Sequence, residues 1–174
     1  MNYPWYQAID DSDLQQGDII DGCPIVIPPP SVDINDYEID LKLIDSIILT
    51  QSCDLVNGKS EIVLVCPYYK LDPFLSKQNL TSKGKRKSKI DELLKGRLPS
   101  YHLLNKDKEN EIEDYLVVDF RNVYGVKINV LQDIARKLKK RKRLLPPYRE
   151  HLSQAFARYF MRVGLPQDIK VEDY

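Results

Sequence analysis

Long hydrophobic runs are missing from this sequence. No uninterrupted apolar stretch exceeds five residues, far short of the roughly 20 that a membrane-spanning helix needs. The opening Met-Asn-Tyr-Pro-Trp-Tyr has neither the basic segment nor the apolar core of a secretory leader, so a soluble, cytoplasmic protein without membrane association is expected. Cysteine and histidine are sparse. Cys23, Cys53 and Cys66 form no Cys-x-x-Cys pair and cannot all bridge one another, and with only His102 and His151 beside them there is no zinc-ligand spacing. Free thiols in a reducing compartment follow. Glycine-rich phosphate loops, His-Glu-x-x-His and the EF-hand loop are also absent, so no cofactor and no metal is expected.

Net charge is lacking as well, because 26 Lys and Arg balance 26 Asp and Glu. The balance hides an asymmetry. Residues 1–60 hold eleven acidic groups against Lys42 and Lys59 alone, while cations gather later in two blocks. One is Lys83-Gly-Lys-Arg-Lys-Ser-Lys89; the other is Arg136–Arg143, in which seven of eight residues are cationic. Such runs neutralise phosphates, which makes Lys85, Arg86, Lys87, Lys139, Lys140 and Arg141 candidate RNA contacts. A plainer alternative is a solvated face, or pairing with the acidic N-terminal third.

What is present is enough for one core: 174 residues, 43% of them hydrophobic, read as a single domain over residues 1–174. Gln16–Ile20 opens a first strand, with Trp5 and Tyr6 tacking the N-terminus to the core. Pro28-Pro29-Pro30 ends that strand because proline cannot donate to a sheet ladder, and an acidic excursion follows. Two apolar runs, Ile47–Leu49 and Ile62–Cys66, read as central strands around a polar elbow with Cys53-Asp54 and the turn pair Asn57-Gly58. Next comes a flexible basic insertion at about residues 76–97, containing a short helical signal at Ser88–Lys95 closed by Gly96. Tyr101–Leu104, Tyr115–Phe120 and Val126–Val130 read as later strands, with Gly125 as a turn or bulge. After Pro146-Pro147, the spacing of Tyr148, Leu152, Ala155, Phe156, Tyr159, Phe160 and Val163 predicts an amphipathic helix covering one side of the sheet, stopped at Gly164. The expected fold is mainly β with α: a small half-open antiparallel barrel closed by that helix.

Gly17-Asp-Ile-Ile20, Ser46-Ile-Ile-Leu-Thr50, Ile62-Val-Leu-Val-Cys-Pro67, Val118-Asp-Phe-Arg-Asn-Val-Tyr124 and the terminal helix, in that order over about residues 15–165, resemble the MazF/PemK-type toxins. The resemblance implies an SH3-like barrel, a possible homodimer, metal-free cleavage of single-stranded RNA, and neutralisation by an antitoxin peptide. At two functional places the sequence departs from the family. An arginine precedes the proline of the family's second core strand, where this chain has Asp45-Ser46. A threonine or serine follows the proline ending the third, where this chain has Tyr68-Tyr69.

Metal-free RNA cleavage needs a base for the 2′-hydroxyl, an acid for the leaving oxygen and a cation near the phosphorane. Asp54, His102 and Arg121 are the candidates for a rebuilt set. Each has a plainer role: Asp54 as a backbone cap of the elbow, His102 as a structural strand histidine, Arg121 as a strand-end cation. Tyr68 and Tyr69 could stack on bases or form a barrel rim. Cys53 is expected to pack, since a neighbouring carboxylate disfavours a thiolate. Two functions follow. The first is a binding and regulatory module with a protein partner in a toxin–antitoxin or antiphage system; the second is a metal-free endoribonuclease with a reorganised site.

Overall fold

The computed structural model describes residues 3–29, 39–80, 82–138 and 140–161. Its elements run β1 (Tyr6–Ile9), β2 (Ile19–Ile27), β3 (Asp40–Ile48), α1 (Ser52–Val56), β4 (Ile62–Lys70), α2 (Leu71–Lys77), α3 (Lys83–Leu94), β5 (Tyr101–Leu104), β6 (Leu116–Asp119), β7 (Tyr124–Lys127), α4 (Ile128–Leu138), β8 (Arg141–Leu144) and α5 (Tyr148–Phe160). The architecture is α+β, and every strand pairing is antiparallel.

One sheet follows the order β2-β3-β4-β6-β5, with β7 also on β4; β1 and β8 form a second, two-stranded sheet. β6 and β7 lie end to end along β4. Tyr68–Lys70 pair with Leu116–Val118, Ile62–Val65 pair with Tyr124–Lys127, and residues 120–123 bulge between the two registers. The described strands make an open sheet, so the expected barrel does not close.

Strands buried on both faces read as continuous apolar runs, and Ile47-Ile48 and Leu116-Val117-Val118 do so here. On one face Ile47, Cys66, Leu116, Val118 and Phe120 meet Leu152 and Phe156 of α5. On the other, Ile48, Val63, Val65 and Val126 meet Leu131 and Ala135 of α4. A third cluster puts Phe74 of α2 and Leu93 of α3 against Val117. The terminal helix thus covers one side of the sheet as its apolar spacing predicts. Its stop signal at Gly164, together with Val163, lies outside the described residues, as do Pro30 and most of the acidic excursion.

Several expectations are corrected. The polar elbow around Cys53-Asp54 is a short helix, α1, which ends in the expected turn at Asn57-Gly58. The basic stretch Lys83–Lys89 is not irregular: it is the first half of α3, whose N-cap Ser82 accepts a hydrogen bond from the Lys85 amide at 3.3 Å. β7 ends at Lys127, and Ile128, Leu131 and Ala135 begin a helix instead of extending the strand. Gly125 is neither turn nor bulge. It sits inside β7 opposite Leu64, where an added Cβ would lie 2.8 Å from Ile62 Cγ2.

Gly17 is the tightest backbone junction. Its N–H donates to Ile48 O at 2.9 Å and its carbonyl accepts from Leu144 N at 2.9 Å, joining β2, β3 and β8. Its φ is +85°, and a Cβ there would meet Leu144 Cβ at 2.9 Å. A Gly17→Ala variant combines backbone strain with overpacking and is expected to lose about 2–4 kcal/mol in a urea titration. A loss under about 0.5 kcal/mol would show that the junction relaxes freely.

Candidate functional site

The second basic block is dismantled by the fold. Arg136 ends up on α4 beside Asp133, whereas Arg141 and Arg143 belong to β8 and turn inward. Asp18, fully buried, accepts from Arg141 Nε at 2.9 Å and from Arg143 Nη2 at 3.0 Å, and also from the Gln15 amide. The same guanidinium groups donate to the carbonyls of Asp11 and Asp13, fixing the loop before β2. Arg141 therefore cannot reach a phosphate; the acidic N-terminal third supplies its partners. Lys140 is exposed, and Lys139 lies outside the described residues. Of the first block, Arg86 pairs with Asp72, while Lys85 and Lys87 stay exposed on α3.

Tyr68 and Tyr69 are not an open stacking platform. Burial and a hydrogen bond to Asp21 hold the Tyr68 phenol well above its ordinary pKa. It lines a cavity of about 490 Å³ with Asp21, Asp45, Glu111, Glu113 and Asp114, a surface that repels a phosphate backbone. Tyr69 packs toward α2, where the Lys77 ammonium lies 5.7 Å from its ring centre.

The three candidate catalytic residues do not share a cavity. Asp54 lies in the first turn of α1, where its carboxylate accepts from Cys53 Sγ at 3.8 Å and, among the described residues, from no backbone N–H, so the capping role expected of it is not seen. Cys53 is exposed rather than packed; Cys23 and Cys66 are the buried thiols, and burial pushes Cys66 up to about 12. Asp54 opens onto a groove of about 800 Å³ along one flank of α5, shared with Leu49, Ile62, Leu64, Phe156 and Phe160. Polar residues around α1, of which Gln16 and Thr50 line the groove, are tied to the backbone. Thr50 Oγ1 accepts from Leu64 N at 2.7 Å, Ser52 Oγ from Gln16 N at 3.1 Å, and the Gln16 amide donates to Leu49 O at 2.7 Å.

His102 lies on the other flank of α5. From β5 it faces a cavity of about 280 Å³ with Tyr101, His151, Gln154 and Arg158. Burial, and then the nearby charge of His151, lower its pKa to about 4. It is neutral at pH 7, which suits a base and not the general acid expected of it. Arg121 enters neither cavity. Its guanidinium grips Asp119 at 2.9 and 2.7 Å and sits 4.8 Å from the Tyr101 ring centre.

No family model matches the chain, and no curated protein matches it. Among the described residues, no group of three or more His, Cys, Asp or Glu is placed to hold a metal ion, and no helix is long and apolar enough to cross a membrane. The sequence reading missed His151 and Arg158, which the long apolar stripe of α5 overshadowed. The legible signal was their spacing with Gln154, which puts all three on one flank of a helix.

Proposed function

We propose that this protein is a divergent, SH3-like MazF/PemK-type domain that acts as a binding and regulatory module in a bacterial toxin–antitoxin or antiphage system, engaging a protein partner. One observation carries this reading: Asp54 and His102 open onto opposite flanks of α5, while Arg121 is spent on Asp119. A base, an acid and a phosphorane-stabilising cation must lie within hydrogen-bond reach of one phosphate, and these three do not line a common cavity. The arginine at 141 is withdrawn into the ion-pair cluster, which removes one of the cations that would have contacted RNA. The amphipathic groove beside Asp54, with Phe160 and Met161 exposed at its end, supports a protein-facing surface.

A second reading, metal-free RNA cleavage with a rebuilt site, draws on a different observation. Both histidines of the chain and Arg158 line one cavity. Induced expression in a bacterial host separates the two. The module reading expects intact total RNA and growth like that of an empty-vector control. RNA fragmentation that disappears in His151→Gln would favour the second reading.

A further inference from the structure

Six of the eight described arginines are engaged by a carboxylate: Arg86, Arg121, Arg136, Arg141, Arg143 and Arg149. Arg158 makes no ion pair among the described residues, and it lines the cavity between β5 and α5. Arg97 is unpaired too, and it sits in the chain between Gly96 and Pro99, both of which line that cavity. His102, His151 and Gln154 add imidazole and amide donors, none of them hydrogen-bonded to another described residue. No carboxylate lines this cavity, whereas five line the one around Tyr68.

We propose that the cavity between β5 and α5 binds a phosphoryl oxyanion, as free phosphate or a phosphate monoester, through the Arg158 guanidinium and the His102 and His151 imidazoles, with the Gln154 amide as a further donor. The donors arrive from two sides. His151, Gln154 and Arg158 come from one flank of α5, and His102 from the sheet. That arrangement suits a tetrahedral anion, which carries oxygens on every side, better than a planar carboxylate. A guanidinium provides the paired N–H groups that phosphate oxygens accept. The neutral His102 can donate one N–H without the cost of burying a charge. At about 280 Å³ the site is at the small end of ligand cavities, with room for a phosphoryl group and part of a small molecule attached to it. It goes beyond the module reading, because it neither needs nor excludes a protein partner.

The test uses the full chain with 15N-labelled histidine, titrated at fixed pH and constant ionic strength with sodium phosphate, ribose 5-phosphate and a 5′-phosphorylated RNA oligonucleotide in separate arms. Saturating shifts of both imidazoles with phosphate are expected. Tighter binding of ribose 5-phosphate would assign the source to small metabolites, and tighter binding of the oligonucleotide to RNA ends. Arg158→Gln, on an exposed position, should keep the wild-type melting curve and weaken binding about tenfold, while Lys127→Gln on β7 should leave it unchanged. Shifts that stay linear to roughly 50 mM, or equal affinity in a folded Arg158→Gln, would overturn the proposal. The readout involves no RNA cleavage and no partner, so its failure leaves the module reading standing.

Discussion

An Asp18→Asn variant is expected to lose about 3–5 kcal/mol of folding free energy, enough to unfold a marginal domain. Asp18 has a side-chain exposure of 0%, and its partners Arg141 and Arg143 are 1% and 8% exposed. Taking two guanidinium groups out of water is costly, and the single carboxylate between them is what offsets it. Removing its charge leaves Arg143 buried against the Asp13 carbonyl, and Arg141 buried with only the Asp11 and Asp13 carbonyls and the half-exposed Asp11 carboxylate as acceptors. Asp13→Ala is the control. Only the Asp13 carbonyl takes part in the cluster, so that variant should change stability by under about 0.5 kcal/mol. Urea denaturation of both variants checks the claim, and equal losses would refute the role given to Asp18.

This cluster also shows where sequence reasoning stops. Arg136–Arg143 reads as one basic run, yet the chain turns from α4 into β8 within it, so neighbours in sequence face solvent and core in turn. The partner, Asp18, is 123 residues away from Arg141 and invisible to any local pattern. Local patterns did carry β4, β5 and α5, because a short apolar run at Ile62–Cys66 and period-3.6 spacing over Tyr148–Phe160 are written directly into the chain. They failed at Val126–Val130, where β-branched residues favoured strand and the tertiary contacts of Leu131 and Ala135 favoured helix. The candidate site was half legible. His102 was singled out by residue type, but its neighbour His151 comes from a helix 49 positions on, and only the packing of α5 against β5 brings them to one cavity.

Lowering the pH should destabilise the protein through His102. Its folded pKa is about 4 against an ordinary 6.5, owing first to burial and then to His151. The unfolded chain therefore takes up a proton that the folded chain refuses. Stability from this group is fully present above pH 6.5, falls as the pH drops toward 4, and levels off below that. The loss is on the order of 2–3 kcal/mol, allowing for the solvent that reaches the ring. His102→Phe keeps a flat ring beside Phe120 and removes the titration. Comparing the two proteins cancels the other titrating groups apart from His151, whose charge is coupled to His102. The wild-type curve should fall more steeply than the variant's by up to one proton between pH 6.5 and 4, and parallel curves would contradict the burial of a neutral His102.

The most direct measurement for the central claim is incubation of the purified protein with a pool of single-stranded RNAs in EDTA at low salt, beside Asp54→Ala and His102→Phe variants. The binding-module account predicts that all three leave the RNA uncut. Discrete fragments from the wild type would contradict it, and their loss in both Asp54→Ala and His102→Phe would mean that the two flanks of α5 serve one reaction.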